Sequence, residues 1–290
     1  MGLAVGDALG APFELWRQGD RVPEPLAAFE LAWMGQPAGT GTDATAMARN
    51  LWLSLIAHGG DLRVDDVLAR HLRWLATGPP RVGNISRGVL TRLGEGEDEA
   101  AREYMEQRGP EVSAGNGSVK YCGPLGVAYA RREKDLLRSA PSLSAITHWD
   151  ERCRTACLAV TLTVAALVRG EPARDAVIAS IGTVVDHEGG EELEYLVAEA
   201  GRARPIDGPD RGFALFAAGL ALQVAGEGGG FEEGLRHVVS LGGDTDSNAA
   251  VAGALLGAAN GRDALPAPWL AKLAEAAAIE AEAAELAALI

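Results

Sequence analysis

Apolar residues along this chain recur at intervals of three and four, while strict alternation is scarce, so the pattern predicts a protein built from helices. Over 42–58, Met47, Ala48, Leu51, Leu55 and Ile56 make one apolar stripe; Thr42 or Asp43 can cap its start and Gly59-Gly60 stops it. The same spacing predicts helices over 64–76, ended by Gly78-Pro79-Pro80, and over 84–93. A long helix is predicted over 146–168, closed by Gly170 with Pro172 beyond, and further ones over 174–185, 191–200 and 213–224. The stretch 246–260 consists largely of Ala, Val, Leu and Gly; side chains this small allow close helix–helix approach, which suits a buried central helix. An Ala- and Glu-rich pattern over 268–290 predicts a last amphipathic helix with a solvated face. No repeat of solenoid period is present. The fold class expected is all-α, a compact single domain over 1–290, since the acidic run 94–99 and the glycine run 226–230 are too short for linkers and read as surface loops.

Composition narrows the chemistry. With 290 residues and 48% hydrophobic content the chain can bury a sizeable core. A net charge of −14 repels phosphate backbones, which argues against nucleic-acid binding but leaves room for a phosphate-bearing small molecule in a locally neutral pocket. The three cysteines, Cys122, Cys153 and Cys157, form no CxxC pair, and a zinc site of Cys153, Cys157 and His148 lacks a fourth ligand, so buried thiols are expected. The start, Met1 to Asp7, has no basic region, and no apolar span of membrane length follows; the cytoplasm is the expected location, with no membrane partner.

Four polar segments exceed what a plain helical bundle needs. Thr42-Asp43-Ala44-Thr45 places hydroxyls and a carboxylate at a helix start, where an ordinary cap is the simpler account. Gly242-Gly243-Asp244-Thr245-Asp246-Ser247 places two carboxylates and a hydroxyl at another helix start. Exposed N–H groups there favour the ionised acids, and an all-oxygen ligand set points to a hard cation such as Mg²⁺ or Mn²⁺, with Ca²⁺ a further possibility. In Gly6-Asp7-Ala8-Leu9-Gly10 the glycine ends a helix, Asp7 is expected to bond nearby backbone N–H groups, and Glu14 follows on a loop. Gly115-Asn116-Gly117-Ser118 can present N–H groups to an anion, although it lacks the spacing of a Walker A loop and, taken alone, reads more readily as a plain Gly-Asn-Gly turn.

Taken in order along the chain, GDALGAPFE at 6–14, GTDAT at 41–45, GNGS at 115–118, ITHWD at 146–150 and GGDTDSNAAVAGALLGA at 242–258 resemble the ADP-ribosylglycohydrolase family. The resemblance implies an all-α orthogonal bundle with two Mg²⁺ or Mn²⁺ ions in a central cleft. The implied activity is hydrolysis of the bond between C1″ of ADP-ribose and a modified acceptor, with ADP-ribose and an ADP-ribosylated protein or small molecule as partners. It implies Thr42, Asp43, Asp244, Asp246 and Ser247 as metal ligands and Glu14 and Asp43 as the candidate catalytic residues. Gly115, Asn116, Gly117 and Ser118 are implied to line the distal ribose and diphosphate, and His148 to lie near the substrate cleft, where a role packed beneath the loop is an equal reading. Four departures stand out. Ala44 replaces the second Asp of the family's Thr-Asp-Asp-Thr; Ser247 replaces a threonine and keeps its hydroxyl; Lys120 replaces an apolar residue, and its ammonium either approaches phosphate or points to solvent; and the chain begins inside the family's first helix, so some N-terminal residues are expected to be missing. The loss at Ala44 leaves a hydrolase disabled or slowed at one position, or a non-catalytic ADP-ribose-binding module on the same scaffold; a dimetal hydrolase of another phosphorylated substrate is a third reading.

Overall fold

The protein is described by a computed structural model covering residues 1–14, 29–199 and 211–290. In chain order the α-helices are α1 (Gly2–Gly10), α2 (Asp43–Ala57), α3 (Val64–Leu75), α4 (Asn84–Gly94), α5 (Ala100–Arg108), the single turn α6 (Pro110–Ser113), α7 (Gly123–Ala128), α8 (Glu133–Ser144), α9 (Glu151–Val168), α10 (Ala173–Val184), α11 (Gly190–Glu199), α12 (Ala214–Gly226), α13 (Phe231–Ser240), α14 (Thr245–Asn260), α15 (Ala267–Lys272) and α16 (Ala276–Ala287). Strand-type pairing among the described residues is confined to isolated bridges, Trp33 with Gln36 and Gly115 with Phe213. The fold is therefore all-α, as the periodicity predicts. No helix among the described residues is long and apolar enough to cross a membrane.

Three buried helices organise the rest. α9 packs against α7, α8, α10, α12 and α14, and its Leu158, Val160, Leu162 and Val164 all lie in the main apolar core. α14 is the buried central helix expected from its small side chains: it packs on α9, α12 and α13, and α1 lies along it over its full length. This seam brings the C-terminal end of α1 to the N-terminal end of α14, so the polar segments around Asp7, Glu14 and Asp244 converge although more than two hundred residues of chain separate the first from the last.

Two predicted helices end differently. The helix expected over 146–168 begins only at Glu151, because the Asp150 side chain accepts the Arg152 N–H at 3.0 Å and caps α9 there. Residues 146–148 instead hang from the end of α8, with the His148 N–H on the Ser144 carbonyl at 2.8 Å. The helix expected over 268–290 is split into α15 and α16. Ala274 donates its N–H to the Gly39 carbonyl at 3.0 Å, and Glu275 takes a left-handed conformation with φ 56°; a tertiary hydrogen bond has overridden a favourable helical composition. The helix expected over 191–200 runs from Gly190 to Glu199, with residue 200 outside the described residues.

Candidate active site

Asp7 projects from α1 into the start of α2. Its carboxylate accepts the N–H groups of Thr42 and Thr45 at 2.7 and 2.9 Å, and the hydroxyls of the same two threonines at 2.7 and 2.5 Å. This is the backbone-binding role the sequence assigns to Asp7. Burial raises its pKa despite those four donors. Thr42 caps α2 by accepting the Ala44 N–H at 3.2 Å, so its hydroxyl both donates and accepts within the fold.

Asp43, the first residue of α2, is almost wholly buried. One carboxylate oxygen accepts the Gly83 N–H at 2.9 Å, and the other lies 2.6 Å from the Lys120 ammonium. Lys120 therefore neither points to solvent nor waits freely for phosphate: its side chain is 5% exposed and is paired inside the site. Burial alone would lower its pKa, but Asp43, Asp246 and Asp244 outweigh burial and raise it, so the ammonium stays charged. Ala44 is fully buried and offers only a methyl group.

The second acidic start faces this pair. Asp244 immediately precedes α14 and accepts the Asn116 side-chain N–H at 2.7 Å; Asp246 accepts the Ser247 N–H at 2.8 Å. Burial, then the neighbouring Asp244 charge, push the Asp246 pKa well up; Asp244 is held down by hydrogen bonding with Asp246 and by Lys120, against its own burial. Two buried carboxylates this close resist joint ionisation, a conflict that a bound cation relieves. Glu14 completes the group: one oxygen from each of Glu14, Asp244 and Asp246 lies within 4.8 Å of the others. Arg81 forms an ion pair with Glu14. Burial raises the Glu14 pKa, with Asp244 and Asp43 adding and Arg81 and Lys120 opposing.

The Gly115–Ser118 loop closes one side. The Asn116 N–H donates to the Gly212 carbonyl at 2.8 Å and the Ala214 N–H to the Ala114 carbonyl at 2.9 Å, pinning the loop to the start of α12. From beneath, the Cys153 thiol donates to the Gly115 carbonyl at 3.2 Å and the Cys157 thiol to the Ser118 hydroxyl at 3.4 Å. All three cysteines are buried and free, as expected. A Cβ on Gly117 would lie 2.6 Å from the His148 ring and 3.0 Å from the Ser86 hydroxyl, so this glycine is demanded by packing as well as by any ligand. His148 is buried, with Nδ1 2.8 Å from the Thr147 hydroxyl and Nε2 on the Gly117 side. Burial, then Lys120, push its pKa down to about 3, which leaves a neutral imidazole.

Of the residues singled out in the sequence, Gly115, Asn116, Gly117, Lys120, His148, Asp244, Asp246 and Ser247 border one cavity of about 570 Å³, a size suited to a nucleotide-like ligand, whereas Glu14, Thr42, Asp43 and Ser118 are not in its lining. Sequence reasoning missed several of its walls. Asn84, Ile85 and Ser86 come from the start of α4, Arg81 from the segment just before it, and Arg108, Arg152 and Phe213 from elsewhere. The Ser86 hydroxyl is buried without a partner. Arg152 is bound to Asp150 at 2.8 Å and lies over Phe213. Asp244, Asp246 and Glu192 share this lining with the arginines, so the cavity carries both signs of charge.

The donor set decides what cations the residues fit. Glu14, Asp244 and Asp246 supply three carboxylates in reach of one another, which fits a divalent cation such as Mg²⁺ or Mn²⁺. The opposite half does not match the expectation of a second ion. The Ala44 side chain has no oxygen, and Asp43, although it keeps free lone pairs, is already neutralised by the Lys120 ammonium at 2.6 Å.

Comparison with known proteins gives a consistent picture. The sequence model described as ADP-ribosylglycohydrolase matches residues 1–290. The chain is 29% identical over 287 residues to the ADP-ribosyl-[dinitrogen reductase] glycohydrolase of Rhodospirillum rubrum, covering 94% of this chain and 88% of that protein. It is 26% identical over 290 residues to the ADP-ribosylarginine hydrolase Tri1 of Serratia proteamaculans (strain 568), covering 95% and 74%. A solved structure titled as an ADP-ribosylglycohydrolase-related protein complex superimposes with a TM-score of 0.79 at 32% identity, covering 99% of this chain and 95% of the other.

Proposed function

The chain belongs to the ADP-ribosylglycohydrolase family, and from that premise we propose that it hydrolyses the glycosidic bond between C1″ of ADP-ribose and an acceptor side chain, with arginine as the acceptor to test first. The observation that carries this reading is convergence: Asp244, Asp246, Ser247, the Gly115–Gly117 backbone and His148 all border one cavity, and Glu14 joins the two acids. The choice of arginine rests on the printed activity of one relative, an ADP-ribosylarginine hydrolase. The whole chain works as one unit in this reading, because the site draws on α1, α2, α4 and α14 together.

Each group has a chemical task. C1″ gains oxocarbenium character as its bond to the acceptor breaks, so cleavage is favoured by nearby negative charge and by a water aligned for attack; the acceptor leaves with the bonding pair and takes up a proton as the attacking water loses one. A divalent cation held by Glu14, Asp244 and Asp246, with the Ser247 hydroxyl beside them, would supply orientation of water and ribose hydroxyls and offset charge. Glu14, with its pKa raised by burial, is the better proton acceptor of the two candidates. Asp43 is tied by Lys120 and Gly83 and serves to fix the ammonium. Arg152, Gly115 and Gly117 border the cavity where the diphosphate would lie, and neutral His148 backs the loop. The test is release of ADP-ribose from ADP-ribosyl-arginine protein in Mg²⁺ or Mn²⁺, with ADP-ribosyl-serine protein in parallel. Cation-dependent release from the arginine substrate is expected. Tight ADP-ribose binding with no release from either substrate would instead favour a binding module, a second reading motivated by Ala44 and the Lys120–Asp43 pair.

A smaller test concerns the loop. Gly117→Ala is expected to displace the His148 ring, weakening ADP-ribose binding at least about tenfold and costing roughly 1–3 kcal/mol of stability by overpacking. Larger replacements such as Trp are expected to disturb the fold itself, since even a methyl group has no room. Calorimetric titration with ADP-ribose and a thermal melt measure the two effects. Parent-like affinity in a folded variant would remove the loop from the binding site.

A further inference from the structure

We propose that the Lys120 ammonium is a built-in cation of this site, neutralising Asp43 where a second divalent ion would otherwise do so, so that the chain takes up one divalent cation per molecule. The proposal deepens the metal-dependent reading above and rests on it only in treating the cleft as cation-binding.

Position is the first argument. Lys120 lies on the short 3₁₀ turn Val119–Tyr121, whose residues are all buried, and its own N–H is fixed to the Asn116 carbonyl at 3.1 Å. Its side chain borders the cavity but is only 5% exposed. The ammonium lies 2.6 Å from Asp43 Oδ1, and the two side chains are 5% and 2% exposed. An ion arriving at Asp43 would have to expel this ammonium into a pocket where it has no other hydrogen-bonded carboxylate, and a buried charge without its partner is strongly unfavourable.

The donors available are the second argument. Around Asp43, one oxygen accepts from the Lys120 ammonium and the other from the Gly83 N–H, and the Ala44 side chain carries no ligand atom. Across the cleft, three carboxylates come within 4.8 Å of one another; Glu14 is paired with Arg81, and among the described residues neither Asp244 nor Asp246 has an ion-pair partner. One half of the cleft thus offers ligands to a hard cation and the other half already holds its positive charge.

Charge balance is the third. Asp43, Glu14, Asp244 and Asp246 bring four negative charges, and Lys120 and Arg81 bring two positive ones. Two negative charges are left over, which one divalent ion satisfies. The alanine at 44 and the lysine at 120 are in this account one adaptation: a site with its own ammonium has no use for another carboxylate beside it.

The test counts ions, not turnovers. The full chain is titrated with Mn²⁺, bound metal is measured after gel filtration, and the electron paramagnetic resonance spectrum reports whether bound ions are isolated or spin-coupled. One Mn²⁺ per chain with an isolated-ion spectrum is expected for the parent and for Ala44→Asp, in which the new carboxylate shares the lysine. Two ions per chain with a coupled spectrum are expected for the double variant Ala44→Asp with Lys120→Met. Two ions in the parent or in Ala44→Asp would overturn the proposal, as would no bound ion in the parent, or a folded double variant that still takes one. If the double variant does not fold, the parent and Ala44→Asp counts decide alone. A parent that binds one Mn²⁺ and hydrolyses nothing leaves this inference standing while the hydrolase reading fails; a parent that hydrolyses with two ions does the reverse.

Discussion

Asp246→Asn is expected to reduce divalent-cation affinity by at least about tenfold and hydrolysis of an ADP-ribosyl substrate by about a hundredfold, on the scale by which even indirect changes around a metal site act. The substitution keeps size and leaves an oxygen to accept the Ser247 N–H, now at 2.8 Å, so the start of α14 should hold its shape. What it removes is a buried charge. Burial and the adjacent Asp244 drive the Asp246 pKa well above the ordinary carboxylate range, which means that the ionised group costs stability at neutral pH when no cation is bound. A raised carboxylate pKa makes the folded state bind more protons than the unfolded chain, so its penalty grows as pH rises above the unfolded value near 4 and is absent below it. The amide has no such penalty. Without metal the variant should melt at or above the parent temperature; with excess Mn²⁺ the parent should gain stability by ligand linkage while the variant does not. Thermal melts across a Mn²⁺ series read both effects. A variant whose melting temperature climbs with Mn²⁺ as steeply as the parent's would reduce Asp246 to a helix-start residue.

That contrast mirrors what was legible in the sequence. The motif 242–247 could be read because two acids and a hydroxyl at one helix start exceed the needs of a cap, and the structure puts Asp244 and Asp246 beside Glu14. Asp7 was legible in part, as an acid near a glycine helix stop with backbone N–H partners, but those partners lie 35 and 38 positions along the chain at Thr42 and Thr45. Lys120 was not: its neighbours in sequence are a glycine-rich loop and a tyrosine, and its partner Asp43 lies 77 positions away. Nothing local distinguishes a lysine that reaches phosphate from one that is buried against a carboxylate. Ser86 and Arg81 were missed because α4 reads as an ordinary amphipathic helix, and only tertiary packing turns its first residues and the segment just before it into a cavity wall. Helix α8 escaped notice because Pro141 sits within it, and α13 because its Phe231, Leu235, Val238 and Val239 stripe follows a run of glycines that suggests a loop. The break at Ala274 depends on the Gly39 carbonyl, which no local pattern records.

Gly6→Val is expected to prevent stable folding, and the reason lies in how the two acidic segments are brought together. Gly2, Gly6 and Gly10 recur every fourth residue on α1 and face Gly253, Ala249 and Thr245 on α14. A Cβ at Gly6 would lie 1.9 Å from the Ala249 carbonyl oxygen, at Gly2 2.2 Å from that of Gly253, and at Gly10 2.3 Å from that of Thr245. These obstacles are backbone atoms of a buried helix and cannot turn aside as a side chain would. Overpacking of yielding side chains costs about 1–3 kcal/mol; a rigid seam should exceed that and consume much of a typical stability of about 5–15 kcal/mol. Gly10 carries a second constraint, since its carbonyl accepts the Thr245 hydroxyl at 2.8 Å beside Asp244 and Asp246. Separation of α1 from α14 therefore withdraws Asp7 from the start of α2 and disturbs the carboxylate group in the same movement. Gly182→Ala is the matched control: this glycine lies in α10 with nothing within 4 Å of the added carbon, and alanine there should stabilise by up to about 1 kcal/mol. Circular dichroism melts of both variants make the comparison. A Gly6→Val protein that melts near the parent temperature would mean that the α1–α14 seam is not what holds the acidic segments in register.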